Sequence, residues 1–597
     1  MTRTRRRSKE DKGSASRPEP IPSEAPGGDR SDGRLHARSV GDRFLGTRVI
    51  LCIILVVAAV AVYAASLSNG FVLDDVSQVV SNHLAHSLAN IRYFFEGGTF
   101  PTGGRERLGG IYYRPLMSTS FALVYGLFGS APFYFHLYQL AIHVVNGVLV
   151  FLLLDAWLAR VVPRGAPAPR VAQFLPFALA LVFVVHPVNV EAVAYVSAVH
   201  EVQCVMFGLA ALMVLESSRG ARHDPWWRRL VVALLLLLSL LSKETGAVVV
   251  VITLLYLACL DRTRLRAFAP PIVVTVGLYA FLRLWVAGIP IVTPHNASSL
   301  IQASLGERLL SAPKILYSYL SGFVFPKDLT VSQHWLVKSP TAQEFWVPLA
   351  VVLAVAGLLG YILYRRRPGR GDESTAVFVF FLGWVAVSLG LLIHIVPLDF
   401  TVADRWMYLP MIGMLGLLGC VLKMYLPEAL WKRPALLGTI AILIVAGLGA
   451  RAVVRTLDWK DALTLYSHDI PRADDSFDLQ VNLASELIKA GRLAEAKPHL
   501  LRGYELAPDS PYVLHDMGVM YYMEKDVATA ESFFLRAIAK DGNYIVYADY
   551  LTILLEQKRL QEAKDFLERQ ALPRFPYNVE FRNLHARLTA TLGGPRR

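Results

Sequence analysis

The sequence is dominated by apolar runs that are long enough to cross a lipid bilayer. About 20 apolar residues span the hydrocarbon core, and such runs recur from residue 48 to residue 455. Hydrophobic residues make up 54% of the chain and the mean hydropathy is +0.42, which is too apolar for an ordinary soluble protein. We therefore predict an all-α polytopic membrane protein with about eleven transmembrane helices. The predicted spans are 48–67, 132–158, 173–187, 190–215, 230–241, 247–260, 268–288, 347–363, 376–396, 407–424 and 435–454.

Basic residues give the predicted spans an orientation. Residues 1–47 are rich in Arg, Pro, Gly and Ser, and we interpret them as a disordered basic tail on the cytoplasmic side. Arg160, Arg228 and Arg365 follow later spans where the same rule requires the inner side. A basic tail could also bind nucleic acid, but charge runs are common and we predict no nucleic-acid partner. Eleven crossings place the C-terminus outside.

The chain becomes polar and repetitive after Arg455. Units of 34 residues begin at Ser476, Ser510 and Tyr544, with small residues in register where paired helices must approach closely. This is the tetratricopeptide (TPR) period. We predict a linker at 456–475, three TPR repeats at 476–577 that form an α-solenoid, and a capping segment and tail at 578–597.

Two adjacent carboxylates, Asp74 and Asp75, follow the first span. A carboxylate in an outer loop could act as a general base toward an attacking hydroxyl. Its neighbour could raise the proton affinity of the first, hold a metal, or stabilise cationic character in a transition state. Because a bare Asp-Asp pair is a weak motif, a solvated acidic loop is the alternative interpretation.

Other charged residues lie near the predicted outer ends of the spans. Arg114 and Arg405 could bind a phosphate through their planar guanidinium groups, or could be interfacial anchors. Lys243 and Glu244 interrupt an apolar region at membrane depth, which indicates either a functional pair or a buried ion pair. His186 and Glu191 flank an outer turn, where helix capping is the alternative role. Asn296 to Ser298 fits a glycosylation acceptor, and the four cysteines show neither a disulfide framework nor a zinc spacing.

Several short motifs occur in a fixed order along the chain. They are Phe71-Val-Leu-Asp74-Asp75, Tyr113-Arg114-Pro115-Leu116, His136 with Asn146, His186-Pro187 through Val193, Ser242-Lys243-Glu244, Phe325-Pro326, Asp404-Arg405 through Pro410, Trp459 and the terminal repeats. Individually they are weak, and together they resemble the transmembrane and TPR repeat-containing O-mannosyltransferases and their bacterial relatives. The resemblance runs from the first span to the end of the chain.

The resemblance implies a GT-C glycosyltransferase domain over residues 48–455 that takes a sugar from a polyprenyl-phosphate carrier on the outer or lumenal face. It implies Asp74 and Asp75 as catalytic residues, with Asp74 preferred for activating the acceptor. Arg114, Lys243, Glu244 and Arg405 become the expected carrier-phosphate or substrate-binding residues, and His186, Glu191 and Asp404 the supporting ones. Two features depart from the family pattern: Asp404-Arg405 replaces a usual Glu-Arg, and the repeat array is short.

The expected reaction transfers mannose or another hexose, with inversion, to a hydroxyl of a protein Ser or Thr. The expected partners are the lipid bilayer, the sugar carrier, and an acceptor protein or peptide presented by the repeats. No cofactor is required, and a divalent metal is not indicated. The expected location is a bacterial inner membrane with periplasmic repeats, or the endoplasmic reticulum with lumenal repeats. The alternatives are a transferase that modifies lipid A or another glycan, and a membrane-anchored TPR scaffold without enzymatic activity.

Overall fold

The computed structural model describes residues 30–102, 108–161, 170–220, 224–290, 301, 303–366, 372–540 and 542–592. The chain divides into two compact units, residues 1–52 and residues 53–597, and every contact discussed below lies within the second unit. The first 29 residues of the basic tail and the sequon Asn296 to Ser298 lie outside the described residues. Within the described ranges, strands occur only at Phe100–Pro101 and Leu108–Gly109, which pair antiparallel as a short hairpin.

The remaining regular structure is helical, which confirms the all-α prediction. Helices are expected here because a backbone inside lipid must satisfy its hydrogen bonds within its own segment. Those of the membrane domain are α1 Arg30–Tyr63, α2 Ile91–Phe95, α3 Pro115–Phe128, α4 Pro132–Leu158, α5 Leu175–Val185, α6 Val190–Ala194, α7 Val199–Ser217, α8 Trp226–Ser242, α9 Gly246–Leu260, α10 Arg262–Phe281, α11 Leu305–Val324, α12 Val347–Arg366, α13 Glu373–Leu392, α14 Tyr408–Tyr425, α15 Glu428–Trp431 and α16 Pro434–Asp458.

Eight helical segments in the described ranges are long and apolar enough to cross a membrane. A ninth span results if the bent pair Val171–Val185 and Pro187–Ala194 crosses as one unit. The two remaining predicted spans correspond to α8 and α9, which have only 17 and 15 residues. These two short helices meet at Lys243 and Glu244, as the polar interruption in the sequence predicts.

Glycines allow close helix packing at two points that shape the membrane domain. On α14, a Cβ added to Gly413 would lie 2.7 Å from the Trp384 ring of α13. Small residues at helix contacts let backbones approach closely, and this packing stabilises membrane helices. At the α8–α9 turn, a Cβ on Gly246 would lie 2.7 Å from the Leu240 backbone. The turn that carries Lys243 and Glu244 therefore requires glycine at this position.

The polar C-terminal region consists of paired helices. They are α17 Ala462–Asp469, α18 Phe477–Lys489, α19 Leu493–Leu506, α20 Pro511–Met523, α21 Val527–Ala539, α22 Tyr544–Glu556, α23 Leu560–Phe566, α24 Leu572–Arg574 and α25 Val579–Leu592. The first helices of the units, α18, α20 and α22, begin 33 or 34 residues apart. The predicted linker 456–475 contains α17, whose Leu465 and Tyr466 are buried.

Buried charges hold the repeats against the membrane domain. At the end of α16, Arg455 donates two hydrogen bonds to Asp469 of α17, at 2.7 and 2.9 Å. Asp469 also accepts from the backbone N–H of Val331, at 2.8 Å. In the first repeat, Asp478 accepts from the Ser332 hydroxyl and pairs with His334, whose Nε2 lies 3.1 Å away. Three residues of the segment 331–334 and the last span thus fix the base of the repeat array.

We expect Asp469→Asn to loosen this junction. Removing one partner of a buried ion pair leaves an uncompensated charge, which costs about 3–5 kcal/mol. Arg455 is only 2% exposed, so water does not replace the lost carboxylate. Thermal unfolding and limited proteolysis near residue 470 of the detergent-solubilised protein measure the effect. The exposed neighbour Asp475→Asn is the control, and equal behaviour of the two variants would refute this role.

A second charged contact joins neighbouring repeats. His515 of α20 lies 2.7 Å from Asp516 and 2.7 Å from Asp549 of α22. Burial lowers the pKa of His515, but the hydrogen bonds and charges of the two carboxylates outweigh it and raise the pKa to about 9. The imidazolium then donates from both ring nitrogens.

This contact predicts a pH-dependent stability. Because the folded pKa of His515 is raised, its contribution is complete below the unfolded pKa, about 6.5, and disappears as the pH rises through about 9. The contribution is roughly 2 kcal/mol, less than the full shift implies because the side chain is partly exposed. We expect His515→Gln to flatten the stability profile between these pH values, measured as the unfolding midpoint of the repeats. An unchanged profile would show that the contact does not stabilise the array.

Candidate active site

The loop after the first span is anchored to the end of the last one. The Gly70 backbone N–H donates to the Lys460 carbonyl at 2.9 Å, and the Asn69 side chain donates to the Thr456 carbonyl at 3.3 Å. Leu73 then adopts a left-handed conformation with φ of 52°. A non-glycine residue in this region stores backbone strain, which is frequent at functional sites. The strained residue immediately precedes the two carboxylates.

Asp75 is completely buried and organises this loop. Its carboxylate accepts one hydrogen bond from the Val72 N–H at 3.1 Å and another from the Ser197 N–H at 2.7 Å. Burial raises its pKa to about 7, although the hydrogen bonds from Ser197 and Val72 oppose the rise. Asp75 therefore joins the first outer loop to the start of α7.

Asp74 is exposed, in contrast to its neighbour. Its backbone N–H donates to the Tyr195 hydroxyl at 3.3 Å, and the Tyr195 ring stacks on Trp459 at 5.6 Å. The surrounding protein raises the pKa of Asp74 by desolvation, while a hydrogen bond with Tyr195 and the charges of Arg405 and Arg114 lower it. Asp74 is thus the carboxylate of the pair that a substrate can reach.

Arg405 is held in place by Glu191. One carboxylate oxygen of Glu191 accepts from the Arg405 backbone N–H at 2.8 Å, and the other pairs with its guanidinium group. The guanidinium carbon lies 5.0 Å from the centre of the Phe400 ring and 6.0 Å from that of Tyr195. Both contacts fix the plane of the arginine beside the Asp74 loop.

The predicted supporting residues have different positions. His186 accepts from the Val188 N–H at 3.3 Å and donates to the Phe323 carbonyl at 3.1 Å, so it caps the turn that leads to Glu191. Asp404 is half-buried, and its charge interacts with those of Glu191 and Arg455. It lies at the start of the segment that carries Arg405. These contacts place His186 and Asp404 around Arg405 rather than around Asp74.

Lys243 and Glu244 pair with other residues rather than with each other. Lys243 pairs with Glu201 of α7, and both side chains are buried. Glu244 accepts from Arg114 at 3.0 Å and from Arg283 at 3.2 Å. These adjacent residues in the tight turn therefore pair with different segments, Lys243 with α7 and Glu244 with the segments that carry Arg114 and Arg283.

Three cations converge at one position in the fold. Arg114 lies 3.4 Å from the Nε2 atom of His200, and the charges of Lys243 and Arg405 act on the same imidazole. Sequence reasoning did not identify Glu201, Tyr195 or Arg283, because each contributes through a partner distant along the chain. Within the described ranges, no group of three or more His, Cys, Asp or Glu side chains is arranged to hold a metal ion.

Comparisons with known proteins support the resemblance. No family model matches the chain. It is 32% identical to human protein O-mannosyl-transferase TMTC1 over 188 residues, which cover 31% of this chain and 19% of the human protein. It is 31% identical to mouse protein O-mannosyl-transferase TMTC3 over 167 residues, which cover 28% of this chain and 17% of the mouse protein. A longer match, at 24% identity, covers 87% of this chain and 63% of Drosophila melanogaster protein O-mannosyl-transferase Tmtc3.

All three relatives are named protein O-mannosyl-transferases. This confirms the resemblance inferred from the order of the motifs. The chain spans less than a fifth of the length of the human and mouse proteins in these matches. The distant identity fits a family relationship, and the roles of the individual site residues rest on their geometry.

The difference in burial between Asp75 and Asp74 predicts that the same substitution destabilises the protein at one position and not at the other. Asp75→Asn places an amide N–H₂ against a backbone N–H and leaves a buried donor unsatisfied, which costs about 1–3 kcal/mol. Asp74→Asn changes an exposed side chain and should alter stability by less than about 0.5 kcal/mol. Thermal unfolding of the purified variants in one detergent compares them. Equal loss in both variants would contradict the division between a buried and an accessible carboxylate.

Proposed function

We propose that this protein is an inverting GT-C glycosyltransferase. It transfers mannose from a polyprenyl-phosphate carrier to a Ser or Thr hydroxyl of a protein, on the outer side of the membrane. The observation that carries the proposal is the exposed carboxylate of Asp74, on a loop whose backbone N–H donates to the Tyr195 hydroxyl and within range of the charges of Arg405 and Arg114. The names of the relatives support mannose as the sugar and a protein as the acceptor.

In the proposed reaction, Asp74 is the general base. The acceptor oxygen attacks the anomeric carbon, the bond from that carbon to the phosphate oxygen breaks, and its electron pair stays on the phosphate. The hydroxyl proton passes to the Asp74 carboxylate. Attack from the face opposite the leaving group inverts the anomeric centre, and a fixed geometry contributes through proximity. Desolvation raises the pKa of Asp74 above its ordinary value, which makes it a stronger base than a fully solvated aspartate.

The cations Arg405, Lys243 and Arg114 would stabilise the phosphate that leaves. Arginine binds phosphate through a planar, permanently charged fork, and lysine acts as a point charge. Each of these cations is already oriented by a carboxylate, respectively Glu191, Glu201 and Glu244. Oriented charges that need no rearrangement during the reaction stabilise a developing anion most effectively. Two of these three cations, Arg405 and Arg114, are close enough to Asp74 for their charges to lower its pKa.

The position of the repeats supports a protein acceptor. The Asp74 loop contacts Lys460, which lies between the last span and the repeat array. The site and the repeats therefore lie at the same end of the helices. With the basic N-terminal tail in the cytoplasm, this end faces the periplasm of a bacterial cell.

The test is mannose release from radiolabelled polyprenyl-phosphate mannose by purified protein with a Thr-containing peptide. We expect Asp74→Asn to lower kcat about 10²- to 10⁴-fold, the usual contribution of a general base. We expect Arg405→Lys to lower kcat as well, because lysine keeps the charge but not the planar fork. Asp475→Asn, which changes an exposed carboxylate away from the site, should match the wild type.

Two results would overturn the proposal. The first is full activity of Asp74→Asn under conditions where the wild type transfers mannose. The second is wild-type protein that leaves mannose, glucose and aminoarabinose carriers intact in the presence of acceptor peptides. The second result would favour the scaffold interpretation of the repeats.

A further inference from the structure

A cavity of about 390 Å³ lies between the end of the repeats and the membrane domain. Its walls come from Gly98, Thr102 and residues 108–110 at the hairpin, residues 287–289 after α10, and residues 574–578 from the end of α24 toward α25. Binding sites for small ligands and peptide side chains commonly have volumes of about 300–1,000 Å³. The cavity is separate from Asp74, which does not line it.

The cavity is nevertheless connected to the candidate active site. The first hairpin strand contacts Val76–Val80, the segment directly after Asp74 and Asp75. Arg114 lies four residues beyond Gly110, which lines the cavity. In the second repeat, Tyr512 of α20 is close enough to Asp74 and Asp399 for their charges to act on its hydroxyl. The repeat array thus has one residue near Asp74 and others that line the cavity.

One wall of the cavity carries an unpartnered polar group. Asn578 is 1% exposed, and its Oδ1 accepts from the Phe581 N–H at 3.1 Å. Its Nδ2 has no hydrogen-bond partner among the described residues. A buried donor without a partner is costly, and such groups are otherwise satisfied by a ligand or by water.

The other lining residues suit a polypeptide. Gly98, Gly109, Gly110 and Gly288 leave backbone surface uncovered by side chains, and Tyr577 is 44% exposed beside them. No Asp or Glu is among the described lining residues. Uncovered backbone and an amide donor can hydrogen-bond to the main chain of an extended segment, while an aromatic ring packs on its side chains.

We propose that this cavity, together with Asn578 and Tyr577, binds the acceptor polypeptide at residues that flank the modified Ser or Thr. The inference rests on the proposed function, because it assigns the occupant as the acceptor of that reaction. An occupant that fills the cavity and also presents a hydroxyl to Asp74 must reach beyond the cavity. An extended chain satisfies this requirement, whereas a single sugar does not.

The experiment compares a short and a long acceptor. The short one is N-acetyl-threonine methylamide, and the long one is a fluorescein-labelled extended peptide with one central Thr. Tyr577→Ala removes the ring, and Asn578→Asp keeps the Oδ1 acceptor for Phe581 while removing the Nδ2 donor. Leu535→Ala, on α21 and 43% exposed, is the matched control. The measurements are kcat/KM for mannose transfer and fluorescence anisotropy of the labelled peptide.

We expect both cavity variants to bind the long peptide about tenfold more weakly and to lose a similar factor in kcat/KM. Transfer to the short acceptor should remain as in the wild type, and the control should behave as the wild type with both. Undiminished binding and transfer of the long peptide would overturn the inference, as would equal losses for both acceptors. A further outcome is that the wild-type protein transfers no mannose but binds the long peptide, and that Tyr577→Ala weakens this binding. That outcome would refute the proposed function and support the peptide-binding site.

Discussion

The architecture of the candidate site depends on the need to neutralise buried cations. The side chains of Lys243, Arg405 and Arg114 are mostly buried in the protein, where an unpaired charge is expensive. Each is paired with a glutamate from a different part of the chain. Every pair joins two segments of the chain. Together the pairs hold α6, α7, the α8–α9 turn and the segment before α14 around His200. Asp74 forms no direct ion pair within the described ranges, although the charges of Arg405 and Arg114 act on it.

The Asp74-Asp75 pair shows how one motif serves two purposes. Asp75 is buried and joins Val72 to Ser197, so its carboxylate fixes the loop. Asp74 is exposed on the same loop and follows Leu73, which adopts a strained left-handed conformation. In the reaction that we propose, Asp74 is the base, and a base on a flexible loop would have to be ordered in each cycle at a cost in entropy. The buried neighbour provides this order in advance, which is the physical advantage of two adjacent carboxylates over one.

Local patterns in the sequence predict the elements of this fold well. Apolar length predicts the spans, including the two short helices around Lys243, and the 34-residue period coincides with the starts of α18, α20 and α22. The partners of the charged residues are harder to predict from the sequence, because ion pairs join positions that lie far apart in the chain. Glu201 and Lys243, for example, are 42 residues apart. Sequence also does not separate Asp74 from Asp75, since their difference in burial arises from Ser197, a residue 122 positions away.

The junction between the last span and the repeats fixes the repeat array relative to the candidate site. Arg455, Asp469 and Val331 form a buried contact, and Ser332 and His334 hold Asp478 of the first repeat. A tethered domain on a flexible linker would sample many orientations over the site. The buried ion pair instead fixes the array at its base, while Tyr512 lies near Asp74 and residues 574–578 face the hairpin. On the proposed reaction, the distance between the acceptor-binding surface and the base is therefore set by the fold, and the repeats select hydroxyl groups at a fixed separation from the segment that they bind.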